Sequence, residues 1–267
     1  RRAGYRHQFL LKPNAPAIRE SLAIAVPAMF SILVNDISII VDKAIATSIV
    51  PNGGASALNY ANMIFMMVEG VVIVSIVTAS YPGMSRAAQK EDLHPFKRVI
   101  HHSLVHGMVL IIPAVVGMML FAQPIVRLFY ESDQFTATST LMTTGELFCY
   151  TPGLIGLLCS QIFIRAFYAL HDTRTPLLIS AVQVAVDITL NFLLSYFFGL
   201  NGLAAATMVG NLVGAIIMGW FLRKKCGRFE FRSLFLSIVK VVAASALMGL
   251  VTFLLFHDLP LASETIR

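Results

Sequence analysis

Charged residues are scarce in this sequence: only 13% of its 267 residues are Asp, Glu, Lys or Arg, about half the share in an ordinary soluble domain. Cysteine is also rare, and Cys149, Cys159 and Cys226 are too few and too scattered for a disulfide framework. These shortages exclude a disulfide-stapled scaffold, a disordered chain and a collagen-like fibre. The sequence is instead 57% hydrophobic, and its apolar runs have the roughly 20 residues that membrane-spanning helices require.

An initiator Met and a signal peptide are also missing, since the first apolar run, from Ile18, is too long for a signal peptide. We therefore expect the chain to be a piece of a longer protein. The formal charge of +6 would fit nucleic acid only on a soluble module with a basic surface. Here the bases lie between apolar runs, so we expect membrane orientation rather than a nucleic-acid partner.

The apolar runs predict an all-α, polytopic transmembrane bundle of about seven spans. The expected spans are 18–50, 55–81, 96–121, 138–170, 176–198, 202–222 and 234–256. By domain, this gives a linker at 1–17, a six-helix lobe at 18–222, a basic loop at 223–233, an additional transmembrane helix at 234–256 and a tail at 257–267. Turn-forming residues separate several spans, including Pro82-Gly83 and Gly199 to Gly202.

Lys and Arg collect in every second connector: before the first span, and after the second, fourth and sixth. The opposite connectors and the tail contain only Arg127 and Arg267. Because cytoplasmic connectors are the basic ones, residue 1 is expected in the cytoplasm and residue 267 outside. Between the second and third spans, residues 84–94 form either an amphipathic segment along the headgroups or a solvated connector.

Polar side chains at membrane depth are the candidate functional groups, because placing them there is costly. They include Asp42, Lys43, Asn59, Asn62, Glu69, Asp187, Asn191 and Thr207. Asp187 and Asn191 are four residues apart and share a helix face, and Thr207 follows on the antiparallel neighbour. Such oxygens suit a hard cation such as Na⁺ better than zinc or copper. Interhelical hydrogen bonding, or pairing of the two Asp with Lys43 or Lys240, is the alternative.

No enzyme site emerges from the sequence. The seven His have no metal-binding spacing beyond His102 and His106, for which headgroup contact is the favoured interpretation, and no G-x-S-x-G motif is present. A membrane-embedded glycosyltransferase, the alternative from another class, would need a catalytic carboxylate in a large outer loop. The outer loops are too short for that, so we expect no enzyme.

Two stretches resemble a known family: Val41-Asp42-Lys43-Ala44-Ile45-Ala46 followed by Ala57 to Asn62, and Arg165-Ala166-Phe167-Tyr168-Ala169-Leu170-His171-Asp172-Thr173-Arg174-Thr175-Pro176. They are similar to the MurJ (MviN) family of lipid II flippases, within the MOP superfamily that also holds MATE drug exporters. The resemblance extends over nearly the whole chain. It implies helices seven to thirteen of a fourteen-helix transporter, hence a second lobe whose first, N-terminal lobe is missing.

The resemblance also implies a function: flipping lipid II across the bacterial cytoplasmic membrane by cation-coupled alternating access, with lipid II and membrane lipids as partners. The family's sodium site would map onto Asp42, Asp187, Asn191, Thr207 and the carbonyl of Leu203. Substrate contacts are expected from Lys43, Asn59, Asn62 and Glu69.

Two departures from the family pattern are visible. Asp187 and Asn191 occur in reversed order, and Met63 stands where many members have an arginine that faces the substrate pyrophosphate. Two alternatives therefore stay open: transport of another polyprenyl-pyrophosphate glycan, or a MATE-like exchange of drugs for cations.

Overall fold

A computed structural model describes residues 36–132, 135–227 and 231–258, and within these ranges the chain is helical with no strand. Residues 36–49 are helical and are called α1. The other helices are α2 (Gly54–Val68), α3 (Val74–Ala88), α4 (His94–Leu120), α5 (Ala122–Tyr130), α6 (Ala137–Tyr150), α7 (Gly153–Ala169), α8 (Arg174–Phe198), α9 (Leu200–Cys226) and α10 (Phe231–Asp258). The expected linker at 1–17, residues 18–35 of the first expected span and residues 259–267 of the tail lie outside the described residues.

The helices agree with the predicted all-α membrane bundle. Four described helices are long and apolar enough to cross a membrane, and the α6–α7 pair makes a fifth if counted as one span. In α10 the apolar stretch is the shorter Leu236–Thr252. Large hydrophobic side chains such as Tyr196, Leu128 and Ile216 are more than two-thirds exposed, as expected of surfaces that face lipid.

The second span is one continuous helix, Gly54–Ala88, in which a single π-helical turn, Glu69–Ile73, joins α2 to α3. Our prediction of a turn at Pro82-Gly83 is wrong, because Pro82 lies inside α3. A proline removes only one backbone donor, so a helix can continue through it with one hydrogen bond missing. Pro82 leaves the Thr78 carbonyl without its i+4 donor, and the Pro82 carbonyl itself accepts from Arg86 Nε at 3.3 Å. Of residues 84–94, for which an amphipathic segment or a solvated connector was predicted, 84–88 belong to α3 and only 89–93 lie between α3 and α4.

The fourth span is bent by 45° between α6 and α7. The bend lies at Pro152, which cannot donate to the preceding turn. Thr151, just before it, donates to the Leu147 carbonyl both from its backbone N–H, at 3.0 Å, and from Oγ1, at 2.6 Å. The sequence placed Pro152 inside a span, and the structure shows that it divides that span. Before it, the short helix α5 occupies a connector for which no helix was predicted.

A tight turn joins α8 to α9 and sets the register of the candidate site. Gly199 has a φ of +60°, which disfavours residues with a side chain. Three residues later, a Cβ on Gly202 would lie 2.2 Å from the Leu194 carbonyl oxygen. The end of α8 and the start of α9 therefore lie against each other, and this brings Asp187 and Asn191 alongside the first half of α9. The helix α9 also packs on α6 and α7, at the centre of the described bundle.

Candidate functional site

Two buried carboxyl groups, one from α1 and one from α8, form the centre of the candidate site. Asp42 and Asp187 are each 8% exposed. Asn191 Nδ2 donates to Asp42 Oδ1 at 2.5 Å, and Ser38 Oγ donates to Asp187 Oδ2 at 2.6 Å. On each helix the acid and its polar neighbour are four residues apart, so both lie on the face that meets the other helix. Each acid thus accepts a hydrogen bond from the opposite helix.

The helix α9 supplies the third side of the site. Thr207 Oγ1 donates to the Leu203 carbonyl at 3.3 Å, and the same hydroxyl lies near the Asp187 carboxyl and the Tyr150 hydroxyl. A Cβ on Gly210 would lie 3.3 Å from Asp187 Oδ1. Because Gly210 has no side chain, the α9 backbone can approach Asp187 closely. The structure therefore brings together the five residues onto which the family resemblance maps a sodium site.

Two oxygens of this cluster have no partner. Asp187 Oδ1 and Asn191 Oδ1 are buried and accept no hydrogen bond from the described residues. Unsatisfied buried acceptors are rare and cost about 1–3 kcal/mol each. Carboxylate and amide oxygens are the ligands that hard cations prefer, so the donor set fits Na⁺. Among the described residues no group of three or more His, Cys, Asp or Glu is arranged to hold a metal ion.

A cavity of about 370 Å³ opens beside Asp42. Within it, Gln183 Nε2 donates to Asn211 Oδ1 at 3.0 Å. Its polar lining comprises Asp42, Asn62, Glu69, Tyr150, Ser160, Gln161, Ser180, Gln183, Thr207 and Asn211. Of the described residues that line it, none is Lys or Arg. The described lining therefore carries two acidic side chains, Asp42 and Glu69, and no basic one, and the cavity adjoins the candidate cation site.

The predicted substrate contacts divide into two groups. Asn62 and Glu69 line the cavity, whereas Asn59 and Lys43 do not. Lys43 is exposed while the adjacent Asp42 is buried, which follows from the 100° between consecutive residues on a helix. Met63, at the position of the expected arginine, is 53% exposed and also lies outside the lining.

Three residues of this region were missed by sequence reasoning. Ser38 stands four residues before Asp42, and Gln183 stands four before Asp187. The same four-residue spacing that linked Asp187 to Asn191 was therefore a signal for both. Tyr150 gave no signal, because its position in the cavity depends on the bend after α6.

The R-A-F-Y to T-P motif spans the end of α7, the α7–α8 connector and the start of α8. Arg165 stands over the ring of Tyr81 at 5.8 Å from its centroid. Asp172 accepts hydrogen bonds from the Thr175 backbone and hydroxyl, at 3.0 and 2.8 Å, and from Lys225 Nζ at 2.6 Å. Burial alone would raise the pKa of Asp172, but these donors outweigh burial and hold its pKa below the usual value. The motif ties the α7–α8 connector to the end of α9.

Comparison with known proteins places the chain in a known family. A family model described as the lipid II flippase MurJ matches residues 1–261. The probable lipid II flippase MurJ of Rhizobium meliloti is 30% identical over 218 residues, 82% of this chain and 40% of that protein. The lipid II flippase MurJ of Burkholderia cenocepacia is 27% identical over 210 residues, 79% of this chain and 40% of that protein. The chain spans less than half the length of these curated relatives.

Solved structures show the same fold. A structure of the lipid II flippase MurJ in an inward closed conformation matches with a TM-score of 0.77 and 24% identity, over 96% of this chain and 51% of that one. An inward-facing multidrug resistance MATE family transporter of the MOP superfamily matches with a TM-score of 0.72 and 17% identity, over 79% and 49%. At these identities the likeness concerns the fold alone.

Proposed function

The chain belongs to the MurJ family of lipid II flippases, and from this premise we propose that it is the second lobe of a transporter, not an enzyme, that flips lipid II across the bacterial cytoplasmic membrane by cation-coupled alternating access. The observation that carries the proposal is the buried pair of Asp42 and Asp187, with one unpartnered oxygen on Asp187 and one on Asn191, at the edge of a cavity that contains acidic side chains. The chain's half-length match to its relatives supports a first lobe elsewhere in the same protein.

The cation site is formed by Asp42, Asp187, Asn191 and Thr207, with the second lone pair of the Leu203 carbonyl as a further acceptor. Two ionised carboxylates in one buried place repel each other, and either a bound proton or a cation between them removes that repulsion. A bound Na⁺ would be such a cation. The unpartnered oxygens of Asp187 and Asn191 support this assignment, because each is a buried acceptor without a donor.

The hydrogen bonds between α1 and α8 give the site a mechanical role. Ser38 and Asp42 of α1 contact Asp187 and Asn191 of α8, so the charge balance of the pair acts on the packing of α1. With the charge balanced, the bonds hold α1 against α8; without it, repulsion between the acids favours their separation. A site that biases two arrangements of one helix is what coupled alternating access requires.

Substrate handling is divided between the lobes in this proposal. A pyrophosphate needs cationic partners, since an unpaired charge at membrane depth costs at least about 2.5–3.5 kcal/mol. The described cavity lining contains no Lys or Arg, so the first lobe supplies most of the anion-binding groups. Asn62 and Glu69 then face the sugar and peptide parts of the headgroup, whose hydroxyl and amide groups are suitable partners. Lys43 and Asn59 stay predictions, with positions outside this cavity.

The acidic lining also favours a second candidate, the exchange of cationic drugs for ions. A cavity lined by Asp42 and Glu69 without Lys or Arg suits a cationic substrate better than a pyrophosphate. The family match weighs against it. The same experiment distinguishes the two.

The test uses cells depleted of their lipid II flippase. The intact gene that encodes this chain should restore growth, and residues 1–267 alone should insert in the membrane without restoring it. Rescue by the fragment would show that the headgroup can be held without the first lobe. Failure of a well-expressed intact gene would overturn the lipid II assignment in favour of drug exchange or another glycolipid.

A further inference from the structure

A third acidic residue is buried on α6, separate from the Asp42–Asp187 pair. Glu146 is 0% exposed, and neither of its carboxyl oxygens accepts a hydrogen bond from the described residues. Thr143, one turn earlier, is also 0% exposed, and its hydroxyl likewise has no partner. One face of α6 therefore holds three buried polar oxygens that nothing in the described chain satisfies.

The charge state of Glu146 follows from this environment. An ionised carboxylate without a hydrogen-bond donor, at membrane depth, carries a large desolvation penalty. Binding one proton removes the charge and leaves a neutral acid, whose burial costs far less. The surroundings described here are therefore compatible with the neutral acid and not with the isolated anion.

Neighbouring titratable groups do not change this conclusion. Cys149 and Tyr150 of the same helix lie close enough to interact with Glu146. Among the helices packed on α6, α5 carries Arg127 and Tyr130, and α2 carries Tyr60. The charged residues of α9 are confined to its last turns, the bases of α4 to its first half, and Arg165 lies near the end of α7. None of these groups donates a hydrogen bond to Glu146.

Tyr150 connects this position to the cavity. It stands one helical turn after Glu146 and lines the cavity. Its hydroxyl lies near that of Thr207, and its ring is 5.8 Å from that of Phe65. Tyr150 also interacts with Asp42 and Asp187. A rearrangement that admits water past Tyr150 would therefore hydrate Glu146.

We propose that Glu146 is a proton-binding site separate from the Asp42–Asp187 site. In the arrangement described here, it holds one proton as a neutral carboxylic acid. When water reaches this face of α6, the acid releases the proton to that water and becomes a carboxylate. Closing the face again requires the carboxylate to take up one proton from water, so closure at α6 is accompanied by uptake of one proton. This proposal does not depend on which substrate is transported.

Infrared spectroscopy of the full-length protein in lipid tests the proposal, because the C=O stretch of a protonated carboxylic acid is separate from carboxylate and amide bands. At neutral pH the wild type should show such a band, and Glu146→Gln should lose the intensity of one acid. Glu91→Gln, at an exposed glutamate between α3 and α4, is the matched control and should keep it. Glu146→Gln should also keep any sodium-dependent gain in thermal stability, because the Asp42–Asp187 site is untouched.

Several results would overturn the proposal. Equal protonated-acid intensity in the wild type and Glu146→Gln would show that Glu146 is ionised. Loss of a wild-type sodium response in Glu146→Gln would show that the two sites are not separate. If Glu146→Gln does not fold, Glu146→Asp replaces it: this variant should keep a protonated-acid band at a shifted frequency, and an unshifted band would assign the signal to another residue.

Discussion

The side-chain amide of Asn191 donates a hydrogen bond to Asp42, 149 positions away in the sequence, at 2.5 Å. Ser38 makes the reciprocal contact with Asp187 over the same sequence separation. The pair of contacts joins α1 to α8 through groups that would each be costly to bury alone. The packing of α1 is therefore linked directly to the charge of the two acids.

A double-mutant cycle measures this contact. Asp42→Ala and Asn191→Ala should together cost less stability than the sum of the single changes, with a coupling of about 0.5–3 kcal/mol. The measurement is unfolding of the full-length protein in mixed micelles at fixed sodium concentration. Asp36, an exposed acid on the same helix, provides the control pair with Asn191 and should show coupling near zero. Equal coupling in the two pairs would contradict the contact.

Close approach of α9 to Asp187 is tested at Gly210. A Cβ there would meet Asp187 Oδ1 at 3.3 Å and Asp187 Cβ at 3.4 Å, so Gly210→Ala should displace the carboxyl by a few tenths of an ångström. The sodium concentration needed for half-maximal thermal stabilisation should rise. Gly117→Ala, where a Cβ has open space, should leave that concentration unchanged and add up to about 1 kcal/mol of stability from helix propensity. An unchanged sodium response in Gly210→Ala would show that Asp187 is not held by this packing.

Acid should weaken the hydrogen bonds that Asp172 accepts from Thr175 and Lys225. The folded-state pKa of Asp172 lies below the ordinary value of 3.8, so its ionised form stabilises the protein at pH values above 3.8, and that contribution is lost as pH falls through the lower folded-state pKa. Asp172→Asn should therefore be less stable than the wild type at neutral pH, and the difference should shrink as pH falls below 3.8. Stability is followed by thermal unfolding against pH. Lys225→Met, which removes one donor, should show a smaller difference with the same direction. If the stability difference between the wild type and Asp172→Asn grew on acidification, the result would contradict a stabilising, ionised Asp172.

Sidedness is tested by labelling in intact cells. In a background without Cys149, Cys159 and Cys226, single cysteines at Asn52 and Asn201 should react with an impermeant thiol reagent, and one at Lys224 should not. Both asparagines are exposed. Asn52 precedes α2 and Asn201 lies in the first turn of α9, at the ends of these helices that the basic connectors place outside. Outside labelling at Lys224 would reverse the orientation.

Sequence reasoning reached the helices and most of the acidic site for a physical reason. A long apolar run is unfavourable in water, and an ionisable group is unfavourable in the lipid core. The positions of both in the sequence therefore constrain the fold strongly. The i,i+4 spacing of Asp187 and Asn191 required only helical periodicity. The turn between α8 and α9 then fixed Thr207 beside them.

Other features depended on tertiary structure. Pro82 follows the predicted end of one span and Pro152 lies inside another. In the structure Pro82 is inside a continuous helix, whereas Pro152 lies at the break between α6 and α7. The sequence alone does not distinguish these two outcomes, because the packing around each proline is set by other helices. The exclusion of Lys43 and Asn59 from the cavity is likewise a matter of helix rotation, which packing sets. Glu146 lay inside a predicted span, but its complete burial follows from how α2, α5 and α9 enclose α6.

Sodium-dependent stability of the full-length protein tests the central claim most directly. A ligand that binds only the folded state stabilises it by mass action, by about 2.7 kcal/mol at 100 times its dissociation constant. Sodium chloride, compared with potassium chloride at equal ionic strength, should raise the unfolding temperature of the wild type and of Asp36→Asn, and this rise should vanish in both Asp42→Asn and Asp187→Asn. A full sodium response in both variants would contradict a cation site between these two acids.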